Sequence, residues 1–237
     1  MKKKLIILTG PTAVGKTDLS IRLAKTVGGE IISADSMQVY RRMDIGTAKI
    51  RPDEMDGVRH HLIDILEPTE SFNAFLFKEY ALKAANEIWE RGSIPIIVGG
   101  TGFYIQTLLY DVEFAKSDEN DGIRDELNKL YEEHGAAFLH DMLAKADPEY
   151  AAEVHENNVK KVIRAIEFYR QTGHKLSEHN TEQRERISPY NFEYFVLSDD
   201  RAVLYERIDK RIDKMVEAGL IAEVQALLDE GVDRKSV

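Results

Sequence analysis

The chain contains no cysteine. Disulfides and thiolate metal sites are excluded, and a reducing compartment, the cytoplasm, is the expected setting. Long apolar runs are missing as well, so no stretch of the 237 residues reads as a membrane-spanning helix. Met1-Lys2-Lys3-Lys4 followed by Leu5-Ile6-Ile7-Leu8 has the charge pattern of a signal peptide, but the apolar run is too short for one and reads as a strand. Positive charge is in the minority: 32 Lys and Arg stand against 42 Asp and Glu, a net charge of −10. An extended surface for coating nucleic acid is thereby excluded. A local basic face is not, because phosphate binding depends on the charges at the contact. The 7 histidines fall into no metal-ligand spacing. What remains is 43% hydrophobic and 31% charged, the composition of a globular chain with a sizeable core.

One stretch organises the rest. Gly10-Pro11-Thr12-Ala13-Val14-Gly15-Lys16-Thr17 matches the phosphate-binding pattern G-x-x-x-x-G-K-S/T in full. The apolar run Leu5–Thr9 before it reads as a buried parallel strand. After it, Leu19, Leu23 and Val27 recur at helical spacing, with Gly28-Gly29 as a stop. Gly10 and Gly15 let successive N–H groups turn inward on phosphate oxygens. Lys16 adds a point charge, the Thr17 hydroxyl can ligate Mg²⁺, and the helix N-terminus adds a partial positive charge. The motif binds a di- or triphosphate and leaves open which bond is broken.

Further along, Glu30–Ser33 reads as a second strand ending at Asp35, placed where open parallel sheets carry functional residues. Asp35 could equally cap a short helix from Ser36. His60-His61-Leu62-Ile63-Asp64-Ile65 leads into another strand, its two histidines pointing to opposite sides and read as structural. Residues 73–91 make a helix with Phe77, Ala81, Ala84 and Ile88 on one face, and Ile94–Val98 a strand running into Gly99-Gly100-Thr101-Gly102. Residues 112–189 carry no strand-like run; helices are expected over 123–133, 136–145, 148–155 and 158–171, with Lys160, Lys161 and Arg164 on a basic face. The strand pattern returns at Phe192–Leu197. A long helix then opens at Asp199-Asp200, with Leu204, Ile208, Ile212 and Met215 as its buried stripe and Arg207, Arg211 and Lys214 as a second stripe able to reach over the phosphates. The expected fold is α/β: a P-loop NTPase-like parallel sheet with helices on both faces, made by residues 1–111 and 190–237, plus an inserted all-helical domain over 112–189.

Together these motifs resemble the tRNA dimethylallyltransferase (IPP transferase) family. The resemblance rests on the phosphate loop, Asp35-Ser36-Met37-Gln38-Val39-Tyr40, Met43–Lys49, His60–Asp64, Val98–Tyr104 and Tyr205–Arg211. It implies an enzyme transferring a dimethylallyl group from dimethylallyl diphosphate to N6 of the adenosine 3′-adjacent to the tRNA anticodon. By the same resemblance Gly10 to Thr17 hold the diphosphate, with Mg²⁺ on Thr17. Asp35, Thr101 and Arg211 are catalytic. Asp35, Ser36, Met37, Gln38, Thr101, Arg124, Lys160, Lys161, Val162, Ile163 and Arg164 bind the anticodon stem-loop. A monomer is expected, and family members continue beyond the point where this chain stops at Val237. A P-loop small-molecule kinase using ATP shares the loop and sheet and stands as the alternative, followed by a nucleotide-dependent RNA-binding switch.

Overall fold

The computed structural model describes residues 2–112, 122–185 and 187–232. Five strands form, β1 (Lys4–Thr9), β2 (Gly29–Ser33), β3 (His60–His61), β4 (Ile94–Gly99) and β5 (Asn191–Val196), in one all-parallel sheet of order β3-β2-β4-β1-β5. The helices among the described residues are α1 (Lys16–Val27), α2 (Ala74–Glu90), α3 (Gly102–Leu109), α4 (Ile123–Ala146), α5 (Pro148–Glu153), α6 (Val159–Thr172), α7 (Leu176–Glu185), α8 (Arg201–Glu217) and α9 (Leu220–Asp229). By chain contacts the molecule divides into two compact units, Met1–Asp111 with Ser188–Val237, and Val112–Ile187.

In the first unit the crossover β1–α1–β2 runs one way along the sheet and β3–α2–β4 runs back. Right-handed crossovers in opposite directions put α1 and α2 on opposite faces. Strand alternation serves both: Ile31 and Ile96 pack with Ile21 and Ala24 of α1, while Ile32 and Ile97 are fully buried on the other side. Helix ends follow their local chemistry. Gly28 takes the left-handed conformation at φ 64 after α1, and Asn73 Oδ1 accepts from Leu76 N at 3.0 Å to start α2.

Two expectations are corrected. The strand expected over His60–Ile65 stops after His61, because Leu62 (φ 63) and Asp64 (φ 55) turn the backbone away and bring the Asp64 carboxylate to Lys49 Nζ at 2.5 Å. The stripe on α8 has the right periodicity, but only Leu204 is buried and Ile212 is 49% exposed. Periodicity marks an apolar face without saying what covers it.

The helical unit is built on Leu127, Leu139, Leu143, Val162, Ile166 and neighbouring apolar residues. Gly135, at φ 82 and ψ −179, breaks α4 between the two helices expected there. Asp147, with no exposed surface, ties this unit together: Oδ1 accepts from Tyr150 N at 3.1 Å and Ser177 Oγ at 2.7 Å, and Oδ2 accepts from Ser177 N at 2.8 Å. Burial pushes its carboxyl up, but these hydrogen bonds and the charge of Lys175 together hold it below its ordinary value of 3.8. A depressed carboxylate stabilises the fold above its unfolded-state pKa, and that stabilisation is lost as pH falls through the folded-state value. Asp147→Asn should therefore cost about 1–3 kcal/mol at neutral pH, since the new amide faces the Ser177 N–H donor to donor. The gap from wild type should narrow in denaturant titrations taken below its ordinary pKa; a gap that is absent, or flat with pH, would refute this account.

Candidate active site at the carboxyl edge of the sheet

Thr9 ends β1 and its hydroxyl donates to Gly99 O at 2.9 Å, stitching the ends of β1 and β4 together. From these neighbours the chain leaves in opposite directions, the arrangement that opens a crevice at the edge of a parallel sheet. The phosphate loop rises out of that crevice with Gly10 at φ 151, Ala13 at φ 64 and Gly15 at φ 92. A Cβ on Gly10 would sit 2.6 Å from Leu197 O, so glycine is required there for space and for φ alike. Lys16 Nζ donates to the loop's own Gly10 O and Pro11 O, each at 2.8 Å, contacts that a phosphate can take over. Burial pushes the Lys16 ammonium below its ordinary pKa, Asp35 opposes that shift and Arg211 adds to it. These three groups therefore share one electrostatic field, and an anionic ligand would relieve the strain between the two cations.

Asp35 follows Ala34 past the end of β2. Its Oδ1 accepts from Met37 N at 2.8 Å and Gln38 N at 3.3 Å, closing a turn rather than starting a helix. Among the described residues Oδ2 accepts no hydrogen bond, so one oxygen fixes the side chain and the other is free for chemistry. Thr101 is comparable. Its N–H donates to Ala34 O at 3.4 Å, and its hydroxyl makes no cap bond at the start of α3. One turn later, Tyr104 is 8% exposed, stacks on Phe77 and has no hydrogen bond to its hydroxyl among the described residues. Burial pushes that phenol up first, with Tyr40 and Asp35 adding to the shift.

A cavity joins Lys16 and Asp35 but is not lined by Thr101, Tyr104 or Arg211; Thr17, Ser20, Ser33, Gln38 and His60 complete its polar side, and Ile31, Ile50, Ile63, Val98 and Gly99 the rest. Gln38 is held by Nε2 donating to Thr47 O at 3.3 Å and Ala48 O at 3.4 Å. Behind it Lys49 is buried, its Nζ donating to Tyr40 O and Asp44 Oδ1, both at 2.6 Å, and to Asp64. His60 Nδ1 donates to Val58 O, 2.9 Å away, and burial pushes its pKa below the ordinary imidazole value. It was expected to be purely structural. Strand alternation could have placed it, since β3 sets His60 opposite Ile31, another cavity residue.

From α8, Arg207 donates to Ala13 O at 3.5 Å and pairs with Asp199 at 2.8 Å, while Arg211 is near enough to shift Lys16. Among the described residues no group of three or more His, Asp or Glu could hold a metal. The Thr17 hydroxyl and the Asp35 carboxylate do line one cavity, and such sparse oxygen donors suit a Mg²⁺ ion held mainly by substrate phosphates and water.

In the helical unit Lys160, Lys161 and Arg164 lie exposed on α6 without an ion pair among the described residues. Arg124 pairs with Glu167. Val162 and Ile163 are 0% and 6% exposed and belong to the core of that unit. The expectation that they touch RNA is corrected for their side chains, which the amphipathic face of α6 turns inward.

Comparison with known proteins agrees with this architecture. Residues 38–237 match the IPP transferase family model. A tRNA dimethylallyltransferase of Lachnoclostridium phytofermentans is 57% identical over 98% of this chain and 74% of its own length. One from Carboxydothermus hydrogenoformans is 49% identical over 98% of this chain and 74% of its own. Among solved structures, the full-length tRNA isopentenylpyrophosphate transferase of Bacillus halodurans is 47% identical with a TM-score of 0.69, covering 98% of this chain and 72% of that one. A eukaryotic dimethylallyltransferase acting on tRNA is 35% identical with a TM-score of 0.87, covering 96% of this chain and 56% of that one. The chain belongs to the IPP transferase family.

Proposed function

We propose that this protein transfers a dimethylallyl group from dimethylallyl diphosphate to N6 of the adenosine 3′-adjacent to the anticodon of tRNA. One observation carries the reading: the uncommitted oxygen of Asp35 shares a cavity with the phosphate-loop lysine and with an apolar wall of Ile31, Ile50, Ile63 and Val98. A diphosphate ester of a small branched hydrocarbon matches both sides of that cavity. Relatives named for this activity at 57% and 49% identity support it further, and the small-molecule kinase is not favoured.

The residues divide the work. The loop N–H groups and Lys16 hold the diphosphate, and Arg211 stabilises the charge that gathers there as the carbon–oxygen bond breaks. Bound Mg²⁺, with Thr17 as a ligand, would supply further neutralisation of the leaving diphosphate. The amine nitrogen attacks the allylic carbon, Asp35 Oδ2 accepts its proton, and the Thr101 hydroxyl orients the base. The adenine must leave its stack to enter the cavity, at a cost of about a few kcal/mol. Ser36, Met37 and Gln38 line its path. Lys160, Lys161 and Arg164, with Arg124 beside its glutamate, offer cations to the phosphates of the anticodon stem-loop. Every group named lies in one chain, so a monomer suffices, working in the cytoplasm where its tRNA is.

The test is single-turnover transfer from labelled dimethylallyl diphosphate to unmodified tRNA with Mg²⁺ and no ATP. Label on the adenosine beside the anticodon is expected. Label that stays on the diphosphate, or turnover that requires ATP as phosphoryl donor, would overturn the reading.

A further inference from the structure

Glu223, on α9, accepts three long-range backbone hydrogen bonds outside the cavity. Its Oε2 accepts from Asp44 N at 2.8 Å and Ile45 N at 2.7 Å, and its Oε1 accepts from Gly46 N at 2.9 Å. Three consecutive N–H groups form a concave anion nest, and here the anion is a side chain of the same molecule. Leu220, one turn earlier, sits against the turn so closely that a Cβ on Gly46 would lie 3.1 Å from its Cδ1. Arg42 adds a bridge from Glu67 to Glu230, the residue capping α9.

The turn so held is continuous with the cavity wall. Thr47 and Ala48, immediately after it, present the carbonyls that fix the Gln38 amide. Asp44, inside it, is one of the acceptors that hold buried Lys49 beneath Tyr40. At its other end the α8–α9 pair is tied to the phosphate loop through Arg207 and Ala13 O. One helix pair thus touches both the phosphate side and the Gln38 side of the site.

We propose that Glu223 is a positioning residue for the nucleoside side of the reaction: by closing the Asp44–Gly46 nest it holds the Gln38 wall at a set distance from the phosphate loop. The inference rests on the proposed transferase activity, and it concerns binding of the base rather than the chemistry on the diphosphate.

Glu223→Gln keeps the length of the side chain while replacing one acceptor oxygen by a donor that faces N–H groups. Steady-state kinetics should show KM for tRNA rising about tenfold, with kcat and KM for dimethylallyl diphosphate within about twofold. Hydrogen exchange of the Asp44, Ile45 and Gly46 amides should quicken in the variant without tRNA. Combining it with Gln38→Ala should add little to the KM effect of either change alone, because both act through one wall. An unchanged KM for tRNA overturns the proposal. So does an equal loss against both substrates with a lowered melting midpoint, which a merely structural contact would give. Wild-type protein that transfers no label would overturn the activity itself and the positioning role with it, whereas active wild type with an indifferent variant removes only the latter.

Discussion

Asp35→Asn is expected to slow single-turnover dimethylallyl transfer by about 10²-fold or more while leaving diphosphate binding largely intact. The geometry makes this substitution unusually clean. The oxygen that anchors the side chain, Oδ1, faces two N–H donors at Met37 and Gln38, so asparagine will turn its carbonyl oxygen that way. The amide nitrogen then takes the position of Oδ2 and faces the cavity as a donor. Shape and turn survive; the ability to take a proton does not. Some electrostatic consequence is expected at Lys16, whose ammonium loses a neighbouring negative charge that raises its pKa. That change should be felt in diphosphate affinity far less than in rate, because the loop N–H groups remain. Rapid-quench transfer and equilibrium binding of the diphosphate, run side by side, separate the two. A rate within a few-fold of wild type would take the role of base away from Asp35.

The difference between what could and could not be read from the chain lies in sequence distance. The phosphate loop was legible because eight adjacent residues carry all of its geometry, and β1 and α1 because their apolar spacing is local. Asp35 could be placed past a strand end, but not its division of labour between Oδ1 and Oδ2, which depends on the exact path of residues 36–38. Val162 and Ile163 fell within a basic stretch, and only the packing of α6 separates the lysines that face outward from the apolar pair that faces in. The α8 stripe failed for the opposite reason: Ile212 has the right spacing and no cover. Glu223 was invisible because its partners are 177 to 179 residues away and are backbone groups, which leave no trace in residue type.

Gly99→Ala shows how this distinction bears on a residue that was noticed for another reason. Read from residue type alone, the glycine-rich turn Gly99-Gly100-Thr101-Gly102 is a backbone that a ligand can approach closely. Gly99 does line the cavity, and the structure gives it a second task. A Cβ there would lie 2.3 Å from Ala34 O, 2.5 Å from Ala34 C and 2.8 Å from Ala34 Cβ. These are mostly backbone atoms, and the same Ala34 carbonyl accepts from Thr101 N. Ala34 N is itself bonded to Val98 O at 2.8 Å, so the strand end cannot retreat without breaking the ladder. Overpacking of this kind costs about 1–3 kcal/mol even where side chains can yield, and backbone yields less. For a chain of this size about 3 kcal/mol corresponds to a fall in Tm of roughly 6–12 °C. The functional effect should exceed what stability alone implies, because the residue displaced is the one before Asp35 and the bond strained is the one that seats Thr101. Transfer measured well below the melting transition should therefore fall by about 10²-fold, through kcat rather than through KM for the diphosphate. If Gly99→Ala melts within about 1 °C of wild type and turns over normally, β2 and β4 are not packed at their ends as described, and the placement of Asp35 beside Thr101 falls with them.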